Sequence, residues 1–193
     1  MYWKAEIYFR TRDFEKAREL YDAVLTDFPK SNYRPYVKYA YAWSLYEEKK
    51  YQESIGKFSA FVYEYPASEL KEDSELKIGE MFYRLKKYNE SIEKLSMFIQ
   101  GAKDVKKSKL AYFYIGEDYY YQDNYKDALT SFKKSLEMVP DSNIDFYAVY
   151  DTAWSYMKLE QYEDAVKEFS RLEDIKKDDS LMDAILGGKA QAL

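Results

Sequence analysis

Neither cysteine nor histidine occurs among the 193 residues. Without cysteine there are no disulfides and no thiolate nucleophile, and without histidine the commonest general base is missing. Zinc sites of the usual kind and Ser/His/Asp or Cys/His catalysis are therefore excluded together. Glycine and proline are scarce, at 6 and 4 residues, which leaves few places where a helix must stop. No run approaches the roughly 20 apolar residues that span a bilayer, so this segment is not expected to insert into a membrane. Met1 to Arg10 also lack the apolar centre of a secretory leader. Long basic runs are absent too. The net charge is −5 and the densest cluster is Lys103, Lys106, Lys107 and Lys109, which argues against nucleic acid as the main ligand.

What is present is helical and periodic. Apolar residues make up 47% and charged residues 34%, the balance of a folded helical protein rather than a disordered one. Phe14, Tyr51, Tyr88, Tyr125 and Tyr162 recur every 37 residues. Small residues follow three positions later at Ala17, Ser54, Ser91, Ala128 and Ala165, and bulky ones after those at Tyr21, Phe58, Leu95, Phe132 and Phe169. Upstream lies a second small slot: Ala5, Ala42, Gly79, Gly116 and Ala153. Such a period means stacked units whose neighbours bury one another's faces. The expected organisation is a single array, with a partial unit at 1–30, full units at 31–67, 68–104, 105–141 and 142–178, and a half unit at 179–193.

Each unit reads as two antiparallel helices joined by a short polar turn: Arg12-Asp13, Lys49-Lys50, Lys86-Lys87, Asp123-Asn124 or Glu160-Gln161. Ile55, Phe58, Phe61 and Val62, and then Ile92, Leu95, Phe98 and Ile99, fall on one face of the second helices. Those helices are expected to stop near Pro29, Pro66, Gly101 and Pro140, with Ser31 and Ser68 capping the helices that follow. The small slots mark the crossing of each pair, where a larger side chain would push the axes apart.

These slots resemble the tetratricopeptide repeat, with its W-x2-L-G-x2-Y, A-x3-F and P pattern. Tyr112, Ile115, Gly116, Tyr119, Ala128, Phe132 and Pro140 carry it most fully. Tyr41, Ala42, Leu45, Ser54, Phe58 and Pro66 carry it in an earlier unit, and Ala153, Tyr156, Ala165 and Phe169 in a later one, with Lys177 in place of proline. The resemblance implies an all-α solenoid of antiparallel helix pairs forming a right-handed superhelix, with first helices lining a concave groove. The unit is 37 residues rather than the usual 34, and the surplus precedes the first small slot, so longer first helices are expected. Longer repeats with a Tyr-Pro-x-Ser motif, here Tyr65-Pro66-Ala67-Ser68, are similar to those of bacterial cell-envelope proteins of the BamD and Tol-Pal-associated type. That favours a periplasmic setting over a cytoplasmic one. Met1 falls inside a first helix, and Ser180 to Leu193 form another with Ala190 in register. A longer parent chain is the expectation: Leu181, Ile185 and Leu193 mark a terminal helix that either packs inward only or continues into further repeats, and an uncapped end is open to self-association.

In the groove the resemblance implies, one slot holds Phe9, Tyr46, Tyr83, Tyr120 and Met157, and its successor Arg10, Glu47, Arg84, Tyr121 and Lys158. Another holds Glu6, Trp43, Glu80, Glu117 and Trp154, and a third Tyr2, Tyr39, Leu76, Phe113 and Tyr150. Spacings of three and four place these on one helical face. Aromatic anchors among alternating charges suit an extended or helical peptide, with Trp43 and Trp154 the foremost anchors. The alternative use of the same rings is packing between successive first helices. Stacked tyrosines would also suit a glycan such as peptidoglycan. Lys and Asn at the Tyr39 and Trp43 slots, which the resemblance would require for a two-carboxylate chaperone clamp, are missing. An enzyme is not expected. Glu47-Glu48, Glu117-Asp118 and Asp178-Asp179 are adjacent in sequence, so on a helix they point about 100° apart. Neither metal nor cofactor is expected, and the partner is expected to be a protein or peptide.

Overall fold

A computed structural model describes residues 1–175 and 182–193. Lys177, Asp178-Asp179, Ser180 and Leu181 lie outside them. Among the described residues there are helices and turns and no strand, and the chain divides into two compact units, Met1–Lys87 and Tyr88–Leu193.

The first unit contains α1 (Tyr2–Arg10), α2 (Phe14–Asp27), α3 (Arg34–Glu47), α4 (Tyr51–Glu64) and α5 (Lys71–Arg84). Each packs on the next in chain order. Ala5, Ala17, Tyr21, Val24 and Val37 form one buried cluster, and Ala42, Ile55, Phe58, Ile78 and Met81 another. The small slots do what their size permits. Ser54 sits fully buried against α3 and donates its hydroxyl to the Ala42 carbonyl at 2.8 Å.

The second unit contains α6 (Tyr88–Gly101), α7 (Val105–Tyr121), α8 (Tyr125–Leu136), α9 (Ser142–Lys158), α10 (Tyr162–Ile175) and α11 (Met182–Ala192). Successive helices pack together, and the first helices α7 and α9 also touch directly. A Cβ added at Gly116 would come within 2.4 Å of the Phe132 ring, so that crossing has no room for a methyl group. Gly188 is equally tight against Phe169 at 2.5 Å, whereas Ala190, the expected small-slot residue, is exposed. Ile185 is buried and Leu193 exposed.

Every first helix that precedes a hairpin turn ends in the same way. Arg12, Lys49, Lys86, Asp123 and Glu160 have φ of 64°, 60°, 58°, 59° and 58°, the left-handed region that glycine usually supplies. At the first of these corners the Arg12 N–H donates to Phe9 O and the Asp13 N–H to Tyr8 O, at 3.0 and 2.9 Å. The other four repeat the paired bonds, which satisfy carbonyls that the helix end would otherwise leave open.

Three boundaries differ from expectation. Ser31 and Ser68 accept from the N–H groups of Tyr33 and Leu70, and so cap a turn that leads into α3 and α5 rather than the helices themselves. The side-chain caps of first helices are Asp104 and Asp141, on α7 and α9. Only there is the first helix lengthened, to 17 residues against 14 in α3 and α5. Finally, α8 stops at Leu136, four residues before Pro140, whereas α2 and α4 run to Asp27 and Glu64, two residues before Pro29 and Pro66.

Candidate functional site

In the first unit the face of α3 carries Tyr39, Trp43 and Tyr46, spaced so that the rings meet in a row. Tyr39 stacks on Trp43 with centroids 5.9 Å apart, and Trp43 meets Tyr46 at 5.3 Å. Trp43 also stands edge-on to the buried Phe58 ring at 6.4 Å. The rings therefore close the top of the hairpin core while staying half-exposed.

The facing helix α5 supplies the charges. The Tyr39 hydroxyl donates to Asp73, and the Tyr46 hydroxyl to Glu80 at 2.6 Å. Glu80 is only 2% exposed, yet it accepts from Lys77 at 2.6 Å and from the Arg84 Nε at 2.8 Å. Burial pushes its carboxyl pKa up, but the Lys77 ammonium and the hydrogen bonds from Lys77, Tyr46 and Arg84 outweigh this and hold it below the usual range. The Lys77 ammonium also lies over the Trp43 and Tyr46 rings, 5.1 and 4.8 Å from their centroids. This is a cation held between aromatic faces and a carboxylate. Burial, then the bond to Asp73, raises the Tyr39 hydroxyl.

Other expected groove positions in this unit serve packing more. Phe9 lies edge-on to Phe14 at 5.5 Å, Glu6 accepts from the buried Tyr21 hydroxyl at 2.6 Å, and Leu76, in the Tyr39 slot, is buried. Tyr83 is half-buried, and Arg84 is exposed, bonding Glu80 and lying over the Tyr46 ring at 5.9 Å.

In the second unit a carboxyl, Asp151, stands in the Lys77 slot. Asp151 on α9 meets Glu117 on α7, and burial, then the Glu117 charge and the hydrogen bond between the two side chains, push the Asp151 carboxyl well up. Tyr120 is raised to about 12 by burial and then by Asp151, with Tyr125, Tyr121 and Tyr150 also acting on it. Tyr121 is exposed and stacks on Tyr88 at 5.7 Å. Trp154 meets Tyr150 at 6.2 Å and stands edge-on to Phe169 at 5.6 Å, repeating the Trp43 arrangement.

Adjacent carboxylates diverge, as the helix geometry requires. Glu47 pairs with Arg12 at 3.8 Å, whereas Glu48 pairs with Arg18 at 2.5 Å. Glu117 turns to Asp151, whereas Asp118 is fully buried with Ser91 beside it. The convergence that does occur joins residues 34 apart: Tyr39 with Asp73, Tyr46 with Glu80, Glu117 with Asp151. Lys77 and Asp151 were not among the expected groove residues. Their shared slot reads Trp3, Ala40, Lys77, Tyr114, Asp151 and Gly188, and that variability was the available signal. Among the described residues no group of three or more carboxylates could hold a metal ion, and no helix is long and apolar enough to cross a membrane.

Tetratricopeptide repeat models match residues 4–69, 110–142 and 147–174, together more than half of the chain. No curated protein matches the sequence. Among solved structures, the C-terminal part of a TPR repeat-containing protein from Cytophaga hutchinsonii is 16% identical with a TM-score of 0.78, covering 100% of this chain and 70% of that one. The apo form of RapI is 15% identical with a TM-score of 0.82, covering 95% of this chain and 55% of that one. MamA from residue 41 to its end, from Desulfovibrio magneticus RS-1, is 14% identical with a TM-score of 0.73, covering 93% and 95%. At these identities the likeness is one of fold, and it agrees with the slots and hairpins described above: the chain belongs to the tetratricopeptide repeat family.

Proposed function

We propose that this chain is a non-catalytic scaffold that binds an extended or helical peptide of a protein partner on the face of its first helices. Tetratricopeptide folds generally mediate protein–protein interaction, which sets the class. The observation that carries the reading is the row Tyr39, Trp43 and Tyr46, whose rings remain half-exposed although each has a packing partner beneath. Rigid aromatic rings flanked by fixed charges anchor a partner at low entropic cost. The corresponding face of the second unit offers Tyr120, Tyr150 and Trp154. An envelope setting is part of the proposal, supported by the 37-residue unit and the Tyr65-Pro66-Ala67-Ser68 motif.

The test is affinity capture with Trp43→Ala, Tyr83→Ala and Trp154→Ala variants, each checked for native helix content. Loss of the captured partner is expected. Undiminished capture by folded variants would move the site to the second helices or the ends. Fractionation of cells producing the protein tests the envelope setting, and a purely cytoplasmic protein would remove it.

A further inference from the structure

We propose that a cavity among α6, α7 and α8 binds an acidic sugar, a hexuronate, with its carboxylate at Lys134 and its ring hydroxyls toward Thr130 and Asp127. None of the lining residues is among those proposed above to hold a peptide, so the two sites are independent of each other.

The cavity measures about 330 Å³, a volume of the order that small ligands occupy. Ile99 on α6 and Tyr112, Ile115 and Tyr119 on α7 give it apolar faces. Lys134 lines it from α8, with its ammonium 5.4 Å from the Tyr112 ring centroid. Among the described residues that ring is the ammonium's one partner, and no carboxylate pairs with it. Asp127, also in the lining, stands about two turns earlier on the same helix, or about 10 Å along its axis. One part of the lining thus favours an anion, and another repels a second one.

The hydroxyls between them retain bonding capacity. Thr130 and Ser131 donate to the carbonyls of Lys126 and Asp127 at 3.0 and 2.9 Å, which leaves both oxygens able to accept. The Asp127 carboxylate accepts from the Asn124 amide at 2.6 Å with one oxygen and can take a ligand hydroxyl on the other. Ser96, Gln100, Tyr112 and Tyr119 make no side-chain hydrogen bond to another described residue. A hexuronate matches this set group by group: its carboxylate pairs with the ammonium, its hydroxyls both give and take bonds, and its C–H face lies on Tyr112 and Ile115. A neutral sugar would leave Lys134 without an ion partner, an aliphatic acid would leave the hydroxyls unmatched, and a dicarboxylate would meet Asp127. Packing does not call for the ammonium over the ring, because other repeats hold Lys38 with Ala60, Glu75 with Met97 and Val149 with Arg171 at these two positions.

The test is titration of the isotope-labelled whole chain, followed by NMR, with glucuronate, glucose and cyclohexanecarboxylate. Glucuronate should bind at least about tenfold more tightly than glucose, which lacks the carboxylate, or cyclohexanecarboxylate, which lacks the hydroxyls. Lys134→Met, which installs the residue found at the same position one repeat earlier, should bring glucuronate down to the level of glucose. Lys133→Met, which removes the same charge from the neighbouring exposed position, should change nothing. Thr130→Val should weaken glucuronate and leave cyclohexanecarboxylate as it was. The methyl glycoside of glucuronate separates two sources of the ligand: binding equal to the free acid assigns a unit of a polysaccharide, and loss of binding assigns the free sugar acid. Equal binding of glucuronate and glucose, or a preference that survives Lys134→Met, overturns the anion site. Cyclohexanecarboxylate binding as tightly as glucuronate overturns the sugar assignment, and no binding of glucuronate at millimolar concentration overturns the proposal as a whole. The peptide-binding reading is untouched by any of these results.

Discussion

Replacing Asp118 should make the protein more stable, and more so as the pH rises. Asp118 is fully buried on α7, its carboxyl oxygens accept no well-formed hydrogen bond, and burial raises its pKa from 3.8 to about 8, with the Ser91 hydroxyl opposing and Glu117 adding to the shift. Below pH 3.8 native and unfolded chains both hold the proton and the shift has no effect. Above that, the unfolded chain releases it while the native state keeps it, so stability falls by about 1.4 kcal/mol per pH unit until the native pKa is reached. At neutral pH the accumulated penalty is about 4 kcal/mol. The same slot elsewhere holds Ser44, Met81 and Ser155, all fully buried, so Asp118→Ser and Asp118→Met place residues the architecture already accepts. Urea unfolding at about pH 5, 7 and 8.5 should give a stability difference that widens with pH, from about 1.5 kcal/mol at pH 5 through about 4 at pH 7 to between about 5 and 6 at pH 8.5. Glu80, Glu48 and Glu64, whose pKa values are lowered, lose stabilising charge as pH falls, but they cancel between parent and variant. A difference independent of pH would refute the reasoning.

The left-handed corners predict that Lys49→Gly adds about 1 kcal/mol, since glycine adopts that conformation without strain. The melting temperature should rise by about 2–4 °C, and a fall would contradict the assignment. The buried Lys109 ammonium bonds Asp145 at 2.5 Å and the Ser135 carbonyl at 3.0 Å. Asp145→Ala should therefore cost about 3–5 kcal/mol in urea unfolding, whereas Lys109→Met should be near neutral. Equal losses from the two would show that the ammonium itself stabilises the core.

Much of the architecture was legible because packing in a repeat stack depends on size at fixed positions. Ala42, Ser54, Phe58, Gly116 and Phe132 occupy the crossings their volumes imply. The corners were legible as turns but not in their conformation, since arginine, lysine, aspartate and glutamate at these positions give no sign of positive φ. The serine caps failed because Ser31 and Ser68 satisfy the turn before each helix, leaving Asp104 and Asp141 as the side-chain caps. The groove rings Tyr39, Trp43, Tyr46 and Trp154 were visible from their spacing, whereas Lys77, Asp151 and the interior charges of Asp118 and Lys109 were not. A comparison at 37 residues aligns each position with its own copies, but the polar contacts between repeats on this face join residues 34 apart.

That offset bears on how such a surface could be exchanged between proteins. Tyr39 with Asp73, Tyr46 with Glu80 and Glu117 with Asp151 each take one half from a repeat and the other half from its successor, displaced by three residues, nearly a full helical turn. Transplanting a single repeat would carry Tyr46 without Glu80, or Glu117 without Asp151, and would set unmatched halves against the new neighbours. The smallest transferable element of recognition is a pair of adjacent repeats, so duplication or recombination that respects single-repeat boundaries would conserve the fold while scrambling what it binds.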